Sequence, residues 1–153
     1  TRTEAGPQTM PLHLLKLCVG VDSVGDLESW IRQKVKARRK GAPAEHVHTT
    51  RMMPKRAAEL LAGGSLYWVI RGEIACRQRL LAVRPVVDNE GVRRCALALE
   101  PTVTLVEPRP YRAFQGWRYL ADKDAPRDFD RTAKGASDMP EAMRRELRDL
   151  GLL

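Results

Sequence analysis

The alternation of apolar and polar positions predicts one long helix near the start of the chain and short strands after it. Apolar residues recur at helical spacing through residues 24–40, and Ser23 with Asp26 forms the capping box that typically begins a helix. The apolar run at residues 11–19 is typical of a buried strand. A second helix is predicted over residues 54–62, since proline suits a first turn and two glycines follow.

The remaining apolar positions follow a period of two, which indicates strands. Such strands are predicted at residues 46–51, 66–71, 73–83, 84–87, 92–99 and 102–106. A turn at residues 88–91 favours a hairpin between two of them. Closely spaced short strands are typical of a small barrel or a rolled sheet. We therefore expect an α+β protein, with a small mixed or antiparallel β-barrel and flanking helices.

The same pattern divides the chain into four parts. Residues 1–9 have no periodicity and are interpreted as an upstream extension or an expression remnant. Residues 10–121 hold the barrel and both helices. Residues 122–137 are charged and short of aliphatic side chains, as in a linker. A second capping box, at Asp138, predicts a C-terminal helix over residues 138–151 that docks on the barrel.

Composition excludes a membrane span and adds a strong positive charge. The 153 residues suit one domain, and 27 basic against 19 acidic side chains give a net charge of +8. The longest uncharged stretch, residues 60–70, is well short of the roughly 20 apolar residues that a bilayer requires. With no export signal and three cysteines at no metal-like spacing, we expect reduced thiols and a cytoplasmic location.

The positive charge belongs to the first part of the chain. Residues 1–120 hold 20 basic and 11 acidic side chains, a net of +9, and residues 121–153 hold 7 and 8, a net of −1. A basic body attracts phosphate polymers through counterion release. The alternative is that the charge only keeps the protein soluble.

One segment interleaves aromatic rings with arginines. Residues 109–119 contain four of the eight aromatic side chains, and its candidate binding residues are Arg112, Gln115, Trp117 and Arg118. Rings can stack on bases, and guanidinium groups can pair with phosphates. Alternatively, the rings fill one end of the core while the arginines extend into solvent.

Two further clusters add basic side chains. One comprises Thr50, Arg51, Lys55 and Arg56 at a predicted helix start, where cations oppose the helix dipole and so suggest an anion site; solvated charges are the alternative. The other comprises Arg71, Arg77, Gln78 and Arg79. Arg77 and Arg79 share one face of a strand, where they could line a groove or guard a sheet edge against aggregation.

Catalytic and metal signatures are weak. The sequence has no nucleophile elbow, no phosphate-binding loop and no dinucleotide fingerprint. His46 and His48 could share a strand face, but two histidines without a third ligand are a poor zinc signal. His13 lies in an apolar strand and is interpreted as a core or edge histidine. We expect no cofactor, no metal and no established catalytic residue.

Five segments together resemble a known family. They are residues 10–20 (MPLHLLKLCVG), 50–56 (TRMMPKR), 63–72 (GGSLYWVIRG), 77–79 (RQR), and 108–110 (PRP) with 114–120 (FQGWRYL). This set resembles a bacterial family of uncharacterised proteins, domain of unknown function fourteen-eighty-nine, over about residues 10–120. The resemblance implies no activity.

A looser similarity connects the order of elements to the small barrels of the PUA and ASCH type. Those domains bind RNA or modified bases, and some ASCH members are amidohydrolases. The ASCH pattern Gly-x-Lys-x-x-Glu-x-Arg is absent here, since Glu73 follows Gly72 and Arg77 stands where a Glu–Arg arrangement is wanted. No catalytic residue is therefore carried over from that similarity.

The resulting hypothesis is binding of RNA or a modified nucleotide. The proposed groove has Trp68 and Trp117 as its floor and is surrounded by Arg51, Lys55, Arg77, Arg79 and Arg118. One alternative is a small hydrolase in the same groove, with Thr50 and Lys55 near the substrate and Glu73 as the acid/base. Another is a protein-binding module that docks through the helix at residues 24–40.

Overall fold

The structure, a computed structural model, describes residues 11–37, 41 and 45–129. In chain order the elements are β1 (Leu12–Leu17), α1 (Val24–Lys36), β2 (His46–Thr50), α2 (Ala57–Leu60), β3 (Ser65–Ile70), β4 (Glu73–Val87), β5 (Arg93–Leu99), β6 (Thr104–Pro110), β7 (Trp117–Ala121) and a 3₁₀ turn (Asp122–Asp124). This mixture of one sheet and few helices confirms the predicted α+β class. None of these helices is long and apolar enough to cross a membrane.

The seven strands form one mixed sheet in the order β2-β5-β4-β3-β1-β7, and β6 also pairs with β4. β1 is parallel to β3 and antiparallel to β7. The long strand β4 merges the two strands predicted at residues 73–83 and 84–87. Its second half pairs with β5, while its pairing with β3 ends at Arg79. Pro85, which lacks an N–H, is therefore tolerated where β4 lacks β3 as a neighbour.

The sheet is not closed into a barrel, which corrects the predicted barrel. β2 and β7 are the end strands, and no ladder of hydrogen bonds joins them among the described residues. After β2 the chain turns at residues 51–56 instead of extending along β7. Pro54 removes a backbone donor within that turn, so the segment is poorly suited to pair as a strand.

Alternation along the strands produces two apolar faces. On one face, Leu14 and Trp68 pack in a cluster with Leu27 and Ile31 of α1. The other face carries a smaller cluster of Leu15, Tyr67, Val69, Ile74, Val106 and Leu120. The chain therefore has a helix-covered face and a second face that residues after β7 help to cover.

α1 begins where the sequence predicts, whereas α2 departs from its prediction at both ends. The Ser23 hydroxyl accepts a hydrogen bond from the Asp26 N–H at 3.0 Å, which confirms the first capping box. The described part of that helix ends at Lys36, and residues 38–40 lie outside the described residues. α2 is much shorter than predicted. Gly64 packs so closely on the backbone of Leu12 and Leu60 that a Cβ would clash there.

The segment predicted as a linker contacts the sheet over its described part, residues 122–129. Asp128 forms a bridge with Val106, and the Phe129 N–H donates to the Leu105 carbonyl at 2.9 Å. The predicted N-terminal extension, the rest of the linker and the predicted C-terminal helix lie outside the described residues. Their assignment therefore stays a prediction.

Candidate nucleic-acid interface

No strand ladder joins β7 to β2 among the described residues; instead, two side chains of β7 form hydrogen bonds with the backbone of the segment that follows β2. The Trp117 indole Nε1 donates to the Met52 carbonyl at 2.8 Å, across 65 positions of sequence. The Arg56 N–H donates to the Tyr119 hydroxyl at 3.1 Å. The two rings of β7 meet edge to face, with centroids 4.9 Å apart. We call this region the edge surface; it comprises Arg51, Met52, Lys55, Arg56, Trp117 and Tyr119.

The edge surface carries two cations that are not neutralised within the described part of the chain. Arg51 and Lys55 are exposed, and they have no ion pair or side-chain hydrogen bond with the described residues. Arg56 differs, because its guanidinium forms a bidentate pair with Glu59 at 2.6 and 2.7 Å and lies 5.5 Å from the Tyr119 ring centroid. The Glu59 carboxylate therefore neutralises Arg56 at the helix start, whereas Arg51 and Lys55 are available to bind an anion.

The other candidates of the aromatic segment lie beside the edge surface but not on it. Alternation along β7 directs Arg118 away from Trp117 and Tyr119. The Arg118 guanidinium lies 4.7 Å from the Phe114 ring centroid. Arg112 and Gln115 are exposed in the loop between β6 and β7. The structure thus separates one predicted aromatic–arginine cluster into two faces.

Trp68 does not form the floor of a groove, which corrects the predicted site. Its side chain is only 1% exposed, and its Nε1 donates to the Gln78 Oε1 at 2.8 Å. Gln78 is fully buried, and its amide nitrogen donates to the Glu100 carbonyl at 2.8 Å. Both side chains point to the helix-covered face, where they satisfy each other and have no open surface for a base.

The other three predicted arginines, Arg71, Arg77 and Arg79, lie elsewhere. Arg77 is held in a bidentate ion pair with Asp128, at 2.7 and 2.8 Å. Arg79 is exposed, and with Arg77 it lines a cavity of about 400 Å³ on the second face of the sheet. Arg71 occupies the turn between β3 and β4, where its φ is +53°. None of the three belongs to the edge surface.

The residues of the alternative hydrolase are not brought together. Thr50 is buried and pairs across the sheet with Cys95, which in turn pairs with Pro85. Glu73 is the first residue of β4, whereas Pro85 is the thirteenth. Since a strand rises about 3.3 Å per residue, nearly the whole length of β4 separates this carboxylate from the Thr50 end of the sheet.

Sequence reasoning did not anticipate that the His46 side chain is buried and that of His48 partly buried. The Nε2 atoms of both rings are buried and have no hydrogen-bond partner among the described residues. Burial lowers the pKa of His46 to about 4, and the charge of Lys34 adds to the effect. Burial, followed by the charge of Lys16, likewise lowers the pKa of His48 to about 4. Both imidazoles are therefore neutral near pH 7.

These histidines do not assemble a metal site with other described residues. No group of three or more His, Cys, Asp or Glu side chains in the described ranges is arranged to hold a metal ion. The His46 ring instead packs on Trp30, and the His48 ring packs on Trp68, both edge to face. The alternation of His46, His48 and the buried Thr50 along β2 was the available signal that these side chains point inward.

The fold and the edge surface together define an α+β domain with an open seven-stranded sheet and a basic, aromatic edge. A family model described as "Protein of unknown function (DUF1489)" matches residues 14–153, so the chain belongs to that family. This match confirms the family resemblance seen in the sequence. No curated protein and no solved structure matches the chain significantly.

Proposed function

We propose that this protein binds single-stranded RNA through the edge surface. One observation carries the proposal: two segments that sequence analysis selected independently, residues 50–56 and 109–119, meet through the Trp117–Met52 and Arg56–Tyr119 hydrogen bonds. The partly exposed rings of β7 then lie near two cations, Arg51 and Lys55, that have no ion pair within the described ranges. Such an arrangement suits a ligand that offers a flat ring and a negative charge at once.

Each group on the edge surface has a role in this proposal. The Trp117 indole packs against the main core cluster and donates to the Met52 carbonyl but stays partly exposed, and a base would stack on that exposed part. Arg51 and Lys55 would pair with flanking phosphates. The exposed Met52 side chain adds an adaptable apolar contact. Tyr119 supports the indole and is itself covered by Arg56.

Single-stranded RNA suits this geometry better than duplex DNA does. The apolar stripe of α1 is packed on the sheet through Val24, Leu27 and Ile31, and α2 has only four residues. Neither described helix therefore projects as a recognition helix for a major groove. The proposal retains the looser similarity to PUA and ASCH domains as its precedent for RNA or modified bases, and it retains a cytoplasmic location.

Salt dependence of binding tests the proposal. A short fluorescent oligouridylate should bind the full chain with an affinity that falls linearly with the logarithm of salt concentration. Arg51→Ala and Lys55→Ala should each reduce the slope by about one, because each removes one phosphate contact. Arg71→Ala is the matched control, since Arg71 is exposed in the turn between β3 and β4, outside the edge surface. Equal losses in all three variants, or no binding at low salt, would contradict the proposal.

A further inference from the structure

A cavity of about 400 Å³ lies on the second face of the sheet and shares no residue with the edge surface. It forms where β1, β3 and β4 meet the segment that follows β7. Its charged lining consists of Arg77, Arg79, Arg127, Asp122 and Asp128, with His13 beside them. Its volume falls in the range of small-molecule sites in proteins.

One wall of the cavity is held rigidly by the Arg77 guanidinium. Its Nε and Nη2 donate to the two carboxylate oxygens of Asp128, and its Nη1 donates to the Ser65 hydroxyl at 3.0 Å. A guanidinium has five N–H donors, so this network engages three of them and leaves two. A fork that is already oriented loses little freedom when it binds a further acceptor.

A hydrogen bond from His13 holds the second lining carboxylate, that of Asp122. The His13 Nδ1 accepts a hydrogen bond from the Ser65 N–H at 3.0 Å, so the other ring nitrogen carries the proton. That nitrogen, Nε2, donates to the Asp122 Oδ1 at 2.7 Å. His13 therefore positions Asp122 and is not available as a base. Asp128 is likewise occupied, by Arg77.

The two remaining arginines of the cavity have donors to spare. Arg79 is exposed, and its side chain has no hydrogen bond or ion pair with the described residues. Arg127 has an 85% exposed side chain, and its ion pair with Glu107 is loose, at 3.6 Å. Asp128 neutralises Arg77 and Glu107 pairs loosely with Arg127, so Arg79 is the lining guanidinium that has no ion pair with the described residues.

We propose that this cavity binds a small phosphate-bearing molecule. Arginine forks match the geometry of oxyanions. One guanidinium group suffices to bind a carboxylate. A phosphate has more oxygens and a second negative charge, so guanidinium groups on two walls of the cavity can bind it at once. Arg79 on β4 and Arg127 after β7 provide those two walls, and the fixed Arg77 lies beside them.

Calorimetric titration of the full chain with inorganic phosphate, a nucleoside monophosphate and acetate, at constant ionic strength, tests this site. Both phosphate compounds should bind saturably and more tightly than acetate. Tighter binding of the nucleotide that Arg79→Gln weakens would identify a nucleotide site in the cavity, and equal binding of the two compounds a site for the phosphate group alone. Arg79→Gln and Arg127→Gln should each weaken phosphate binding by about tenfold, the size expected for a lost charge-assisted hydrogen bond.

The control variant is Arg93→Gln, which removes an equal charge from another exposed position and should leave phosphate binding unchanged. Equal weakening in Arg93→Gln, or the absence of saturable phosphate binding, would overturn the site. Arg79→Gln should also bind oligouridylate as tightly as the parent chain does. The two proposals are therefore tested separately. Arg79→Gln should weaken phosphate binding but not oligouridylate binding, whereas a variant of the edge surface that loses oligouridylate binding should still bind phosphate.

Discussion

Trp68 and Trp117 lie in one row across the sheet, with Lys16 of β1 in register between them, yet their surroundings differ. Trp68 is on β3, inside the sheet, where its indole is buried and bonded to the Gln78 side chain. Trp117 is on the end strand β7, where its indole is partly exposed and bonded to the Met52 backbone.

The difference shows that position in the sheet decides which ring can meet a ligand. A ring on an inner strand is covered by its neighbours on both sides, and its polar atom must be satisfied by the interior. A ring on an end strand has a neighbouring strand on one side only, so part of it can stay exposed. We therefore expect the Trp68 region to control stability and the Trp117 region to control binding.

The largest expected effect is on the Trp68 side. Trp68→Ala should lower the free energy of unfolding by about 3–5 kcal/mol, because it opens a cavity and removes the indole N–H that donates to the Gln78 Oε1. Guanidinium-induced unfolding, followed by circular dichroism, measures this loss. A loss below about 1 kcal/mol would mean that the Trp68 side chain is not part of the core.

Acid should destabilise the same interior gradually as the pH falls. In the folded protein the pKa of His46 and that of His48 are about 4, below the ordinary value of 6.5. Between these two pH values the unfolded chain therefore binds more protons than the folded chain does. Stability is therefore highest above pH 6.5 and falls as the pH drops toward about 4. The expected slope is about 1 kcal/mol per pH unit for each histidine.

The variant His48→Leu separates the two contributions. It removes one of the two titrating groups, so the slope of unfolding free energy between pH 6.5 and about pH 5 should be roughly halved. Denaturant unfolding at several pH values provides the measurement, and the parent chain at higher pH serves as the reference. An unchanged slope would show that His48 is solvated in the folded protein.

The smallest effect concerns the bridge between the end strands. Tyr119→Phe removes the acceptor of the Arg56 N–H and should lower the free energy of unfolding by about 0.5–1 kcal/mol. Tyr111→Phe is the matched control, because Tyr111 is a partly buried tyrosine in the loop after β6. If thermal unfolding shows equal shifts in the two variants, the bridge does not stabilise the gap between β2 and β7.

Local sequence signals predicted much of the fold. The capping box at Ser23 marks the start of α1, and the period-two segments mark the sheet. The predicted division of β4 between residues 83 and 84 was wrong, because the strand continues through Pro85, which lies where β4 pairs with β5 and no longer with β3. The barrel was wrong for a different reason. Whether end strands pair depends on the path of the chain between them, which periodicity does not contain.

The candidate site was less predictable, because its residues depend on long-range contacts. The aromatic and basic composition of residues 50–56 and 109–119 selected both segments, but no local pattern shows that Trp117 reaches Met52. In the same way, nothing near Arg77 in sequence identifies Asp128 as its partner, 51 positions away. Composition predicted the kinds of side chain involved, and the fold determined which of them meet.

The most direct test of the account is the affinity of Trp117→Ala for oligouridylate, compared with that of Tyr111→Ala and the parent chain. We expect Trp117→Ala to weaken binding by about 1–3 kcal/mol, the usual contribution of one base stacked on an aromatic ring, while the chain remains folded at the assay temperature. Tyr111→Ala should bind like the parent chain. The account would be contradicted by unchanged affinity in folded Trp117→Ala, or by unfolding of that variant on the scale predicted for Trp68→Ala.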